Sequence, residues 1–80
     1  MNHADSFPVW TIYDHPSDYP ACFVARMFIM FDGKSTATAK VLTANTLTAV
    51  RREVMSAMPH LPDCIDRAAN DDPVIVECWV

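Results

Sequence analysis

With 80 residues, the chain has room for one domain with one modest core, a size often supported by disulfides, metals or oligomerisation. Its formal charge of -4 lacks the basic stripe of a nucleic-acid binder, and 51% hydrophobic with 20% charged residues excludes a disordered chain. No apolar run approaches the roughly 20 residues that span a bilayer, so a membrane protein of the helical type is excluded.

Three cysteines, Cys22, Cys64 and Cys78, are an odd and widely spaced set that implies no disulfide framework. Cys22 and Cys78 sit in apolar runs, where Cys behaves as a small buried hydrophobe, and this fits a reducing cytoplasm. The opening Met1-Asn2-His3-Ala4-Asp5-Ser6 has neither the basic region nor the apolar stretch of a secretory signal. Residues 1–7 are expected to be a flexible N-terminus to a domain that uses the whole of 1–80.

In chain order, Val9 to Tyr13 is a β-rich run that predicts a first strand. Tyr13 to Pro20 carries Pro16 and Pro20, which remove backbone donors and favour extended geometry in their neighbours, so a stiff loop follows. Cys22 to Phe31 predicts a central strand that is apolar on both sides. Phe23, Ala25, Met27, Ile29 and Phe31 fall on one face, and Cys22, Val24, Arg26, Phe28 and Met30 on the other. Asp32-Gly33-Lys34 supplies hairpin turn chemistry into a third strand over Thr36 to Thr43.

A helix is expected to start at Asn45 or Thr46, either of which can cap it. Leu47, Val50, Val54 and Met58 then recur at helical spacing until Pro59 stops the pattern. Arg51-Arg52 reads as a solvated helix face. Pro62 to Ala69 suggests a short helical turn with Leu61 and Ile65 inward; Asp71-Asp72-Pro73 is a break, and Val74 to Val80 predicts a fourth strand.

The expected fold is α+β, ordered β-β-β-α-β, a mainly antiparallel sheet of three to four strands with one helix on one face. The helix is expected over the small side chains Ala25, Ala37 and Ala39, on an inner face with Phe23, Met27, Ile29, Val41, Val74, Val76 and Cys78. The outer face is then Val24, Arg26, Phe28, Met30, Leu42, Ile75, Glu77 and Trp79. Apolar and aromatic residues with one Arg have the composition of interface cores, so Val24, Arg26, Phe28, Met30, Glu77 and Trp79 are the candidate interaction residues. Arg26 and Glu77 are expected to pair.

The segments Tyr13-Asp14-His15-Pro16-Ser17-Asp18-Tyr19-Pro20, Phe23-Val24-Ala25-Arg26, Asn45-Thr46-Leu47 and Asp71-Asp72-Pro73-Val74-Ile75-Val76-Glu77 before Cys78-Trp79 resemble a group of short bacterial and prophage-associated proteins. No function is assigned to that group, so the resemblance carries no activity, cofactor or catalytic residue to these positions. The strand order and the Ala44-Asn45-Thr46-Leu47 helix entry are also similar to the partial RNase-H-like module of HicB-type antitoxins. The chain departs from that module at Thr48 and Ala49, where acidic residues are usual, and lacks its hairpin sequence.

Other constellations are less specific. Asp14, His15 and Asp18 have the makings of an acid–base or metal site, since a carboxylate can orient an imidazole, but Asp beside Pro-rich turns also caps its own backbone. His60 and Cys64 have paired-ligand spacing, which His3, His15, Cys22 and Cys78 would have to complete, and tetrahedral zinc needs four convergent ligands. With a single glycine, Gly33, no nucleophile elbow, phosphate loop or dinucleotide fingerprint can be built. The sequence therefore implies a non-catalytic cytoplasmic interaction module without a cofactor, a homodimer through the outer face or a sheet edge. An antitoxin-like regulator of a different protein is the first alternative, and a small-molecule binder or enzyme using loop 13–20 the second.

Overall fold

The computed structural model describes residues 6–58, 62–67 and 72–80. The fold is α+β: β1 (Phe7–Asp14), β2 (Phe23–Phe31), β3 (Lys34–Ala44), α1 (Leu47–Ala57), β4 (Cys64–Asp66) and β5 (Ile75–Trp79). The five strands form one antiparallel sheet in the order β3-β2-β1-β5-β4. The connection from β3 to β4 joins opposite edges of the sheet, and α1, lying on that connection, packs on one face. Phe31 pairs with Lys34 across Asp32 and Gly33, whose φ angles of 53° and 73° give the left-handed pair that hairpin twist favours. Thr46 caps the helix, its Oγ1 accepting from the Ala49 N–H at 3.1 Å.

Val50 and Val54 of α1, fully buried, and Met58 just after it, pack on Trp10, Ile12 and Ala25. Phe23, Met27, Leu42, Ala44, Leu47, Val76 and Trp79 complete this inner core. The stripe expected at Leu47, Val50, Val54 and Met58 is therefore the packed one. Pro59, His60 and Leu61 lie outside the described residues, as do His3, Ala68, Ala69 and Asp71.

Four corrections to the sequence pattern have physical causes. First, the sheet has a fifth strand: Cys64–Asp66 pairs with β5 instead of forming a helical turn, and Asp63 and Val80 extend the pairing through two backbone hydrogen bonds of 2.9 and 3.0 Å. A strand of three residues carries no readable period, and its existence depends on the free edge of β5. Second, β5 is bulged. Ile12 faces Glu77 but Tyr13 faces Ile75, which leaves Val76 extra. One inserted residue sends every later side chain to the opposite face, so Glu77 and Trp79 lie on the helix side and Cys78 on the other.

Third, Val41 pairs with outward Arg26 and Leu42 with inward Ala25, the reverse of the expected assignment. Fourth, Ala37 faces Phe28 on the outer side, and Ala39 is exposed within an irregularity of β3 opposite Met27. There Thr38 donates to the Met27 carbonyl at 2.9 Å and accepts from the Lys40 N–H at 3.2 Å. Of the small residues expected beneath the helix, only Ala25 belongs to the inner core.

Candidate functional site

The outer face begins with the alternation of β1 and β2. Phe7, Val9, Thr11 and Tyr13 face Met30, Phe28, Arg26 and Val24 respectively, and Cys78 and Ile75 continue the rows of Thr11 and Tyr13. Val9, Thr11, Tyr13, Phe28, Met30, Ser35, Ile75 and Cys78 line a groove of about 300 Å³. Its walls are mostly apolar, and the Thr11 hydroxyl lies 3.6 Å from the Cys78 sulfur. Phe7 at one end of the face and Ile65, paired with Cys78 at the β4 edge, are 48% and 52% exposed. Large apolar side chains exposed at both margins of a half-buried groove make one continuous patch.

Part of this face is covered. Val24 points away from the helix yet is fully buried, and the segment 15–22 folds back over the same face to reach Arg26. His15 donates its backbone N–H to the Cys22 carbonyl at 3.1 Å, closing the base of that segment, and Pro16 is buried. Arg26 ties the segment to the sheet. Its guanidinium lies 5.9 Å from the Tyr13 ring centre and 5.7 Å from that of Tyr19, and it donates to Asp18. Burial pushes the Tyr13 hydroxyl above its ordinary pKa, with Arg26 opposing. Of the residues expected to interact, Arg26, Phe28 and Met30 thus share the accessible part of this face, while Val24 is fully buried.

Glu77 and Trp79 belong to a different structure. Glu77 is 3% exposed and takes both oxygens to Arg51 of the helix, each at 2.7 Å. Trp79 Nε1 donates to Glu77 Oε2 at 2.8 Å. The Arg51 hydrogen bonds hold the Glu77 carboxyl below the usual range against the opposing effect of burial. Desolvation and the adjoining Glu77 push the Cys64 thiol up, away from a reactive thiolate. Arg26 and Glu77 consequently lie on opposite faces and do not pair; Arg51, read as solvated from the sequence, is the partner of Glu77.

Asp14 and His15 are brought together, with Asp14 Oδ1 bonded to His15 Nδ1, and the His15 ring stands edge-on to Phe23 at 4.9 Å. Asp18 is directed to Arg26 instead. His15 holds a φ of 49°, uncommon outside glycine. Among the described residues no group of three or more His, Cys, Asp or Glu side chains is placed to hold a metal ion. No described helix is long and apolar enough to cross a membrane. Comparison with known proteins finds no family model, no characterised relative and no solved structure that matches the chain.

Proposed function

We propose that this chain is a non-catalytic interaction module of the bacterial cytoplasm that pairs with a second copy of itself through the uncovered sheet face. The observation that carries this reading is the continuous apolar patch from Phe7 through Val9, Phe28 and Met30 to Ile75 and Ile65. Its one charged strand residue, Arg26, already has Asp18 as a counter-ion. A face without an uncompensated charge meets its own copy across a two-fold axis without like-charge repulsion. Fully burying a large apolar side chain is worth roughly 1.5–3 kcal/mol, and completing the burial of several from both copies favours association.

Pairing through the face is favoured over pairing through an edge. The β3 edge carries Lys34, Lys40 and an irregularity opposite Met27, devices that discourage edge-to-edge addition. The other edge, β4, is only three residues long.

Sedimentation of the full chain and of Phe28→Glu at micromolar concentration tests this. A dimer that Phe28→Glu dissociates, with an unchanged circular dichroism spectrum, supports the proposal. A monomeric parent chain overturns it and shifts the reading to a different protein as the partner, as in an antitoxin-like regulator.

A further inference from the structure

We infer that the groove on the outer face takes the tail of a small amphipathic carboxylate, whose head group binds Arg26 in place of Asp18. The ligand and a second copy of the chain would occupy the same face, so the two readings compete for it and the inference does not rest on self-association. The groove has the volume of a small ligand site, about 300 Å³. Val9, Phe28, Met30 and Ile75 give it apolar walls suited to an alkyl or aryl group. Polar groups are concentrated where β1 meets β5, with Thr11, Tyr13 and Cys78 on the lining.

Arg26 is not itself on the lining but neighbours two residues that are. It is the cross-strand partner of Thr11, and its guanidinium lies over the ring of Tyr13, itself a wall of the groove. The Tyr13 and Tyr19 rings, with centres 5.9 and 5.7 Å from the guanidinium carbon, flank the group and leave its N–H groups as donors. Asp18 engages that edge through Nη2, and a guanidinium offers five donors in a planar fork matched to a carboxylate.

The exchange of Asp18 for another carboxylate is energetically small. The Arg26 and Asp18 side chains are 30% and 55% exposed, and solvent-screened pairs of this kind contribute little to stability. The Arg51–Glu77 pair, with a carboxylate only 3% exposed, offers no such exchange. Charge selects the head group: a cation at the end of an apolar groove favours an acid over an alcohol or an amine with the same tail. Asp18 acts as a built-in competitor for that position.

Nuclear magnetic resonance titration of the full chain with octanoate, and with 1-octanol and octylamine as controls, tests the inference. The expected result is saturable shifts at the amides of Thr11, Tyr13 and Cys78, with octanoate tighter than octanol, a preference that reaches about tenfold, the scale of one charge-assisted hydrogen bond, once Asp18→Asn removes the competing carboxylate. Arg26→Gln should abolish that preference without changing octanol binding, and Asp18→Asn should tighten octanoate. Equal affinities for the three probes, or no saturable shift at the groove, would overturn it, as would an octanoate preference that survives Arg26→Gln and ignores Asp18→Asn. A monomeric chain that prefers octanoate upholds the inference and rejects self-association, whereas a dimer indifferent to octanoate does the reverse.

Discussion

Arg51 grips Glu77 with two nitrogens, Nε and Nη2, each 2.7 Å from a different carboxylate oxygen, and so fastens the helix to β5. The partners are unequally placed: the Arg51 side chain is 41% exposed and that of Glu77 only 3%. Removing the arginine leaves a buried carboxylate with less compensation, whereas replacing the carboxylate returns an arginine to water. Arg51→Met is therefore expected to lower stability by about 2–3 kcal/mol, and Glu77→Gln by less. Urea denaturation at neutral pH checks the order; equal losses would contradict it.

The same pair sets a pH dependence. The folded-state pKa of Glu77 lies below its ordinary value of 4.5, chiefly through Arg51 and against burial. A lowered carboxyl pKa contributes stability that is complete above the unfolded-state value and is lost as pH falls through the folded-state value. The expected decline thus starts near pH 4.5 and continues downward. Denaturation midpoints across this range should fall more gently for Glu77→Gln than for the parent chain.

Val24 and Phe28 are both outward-facing on β2, but Val24 is fully buried and Phe28 only partly. Introducing a carboxylate at the fully buried Val24 strands a charge away from water. Val24→Glu should abolish cooperative unfolding at ambient temperature, while Phe28→Glu should retain it. Thermal scans followed by circular dichroism distinguish the two, and similar melting curves would contradict the difference in burial between these positions.

The faces of β2, the Asp32-Gly33 hairpin and the Thr46 cap are legible because each depends on a few neighbouring residues. The continuation of β5 is not. Val74 to Val80 alternates plausibly in either register, and the extra Val76 is decided by pairing with Ile12 and Tyr13, more than sixty residues away. For the same reason, alternation alone places Glu77 and Trp79 on the wrong face and hides the pairing of the part-exposed Arg51 with Glu77. β4 has too few residues to announce itself, and the apolar groove has no compact motif, since its walls come from separate strands. Arg26 was legible as an outward residue, but its contacts with Tyr13, Tyr19 and Asp18 depend on how the loop folds back.

His15 holds a φ of 49° while its ring contacts Asp14 and Phe23. Alanine removes the side-chain contacts and keeps the backbone penalty, whereas glycine removes both. His15→Ala should lower stability modestly, by about 1 kcal/mol, with His15→Gly the less damaging of the two. Tag-free protein is expected to contain no equimolar zinc. Thermal denaturation with metal analysis checks both statements; tight zinc that His15→Ala removes would establish a metal role.

The central strand is β1, and one of its two neighbours, β5, follows it in the chain by more than sixty positions. During synthesis on the ribosome, β1, β2 and β3 can therefore assemble as a meander while one side of β1 still lacks its neighbour. Trp10 and Ile12, which end up in the core, spend that interval beside an open hydrogen-bonding edge. The meander consequently has a vulnerable interval, exposed to chaperones and to aggregation, that closes only when the late-made β5 pairs with β1.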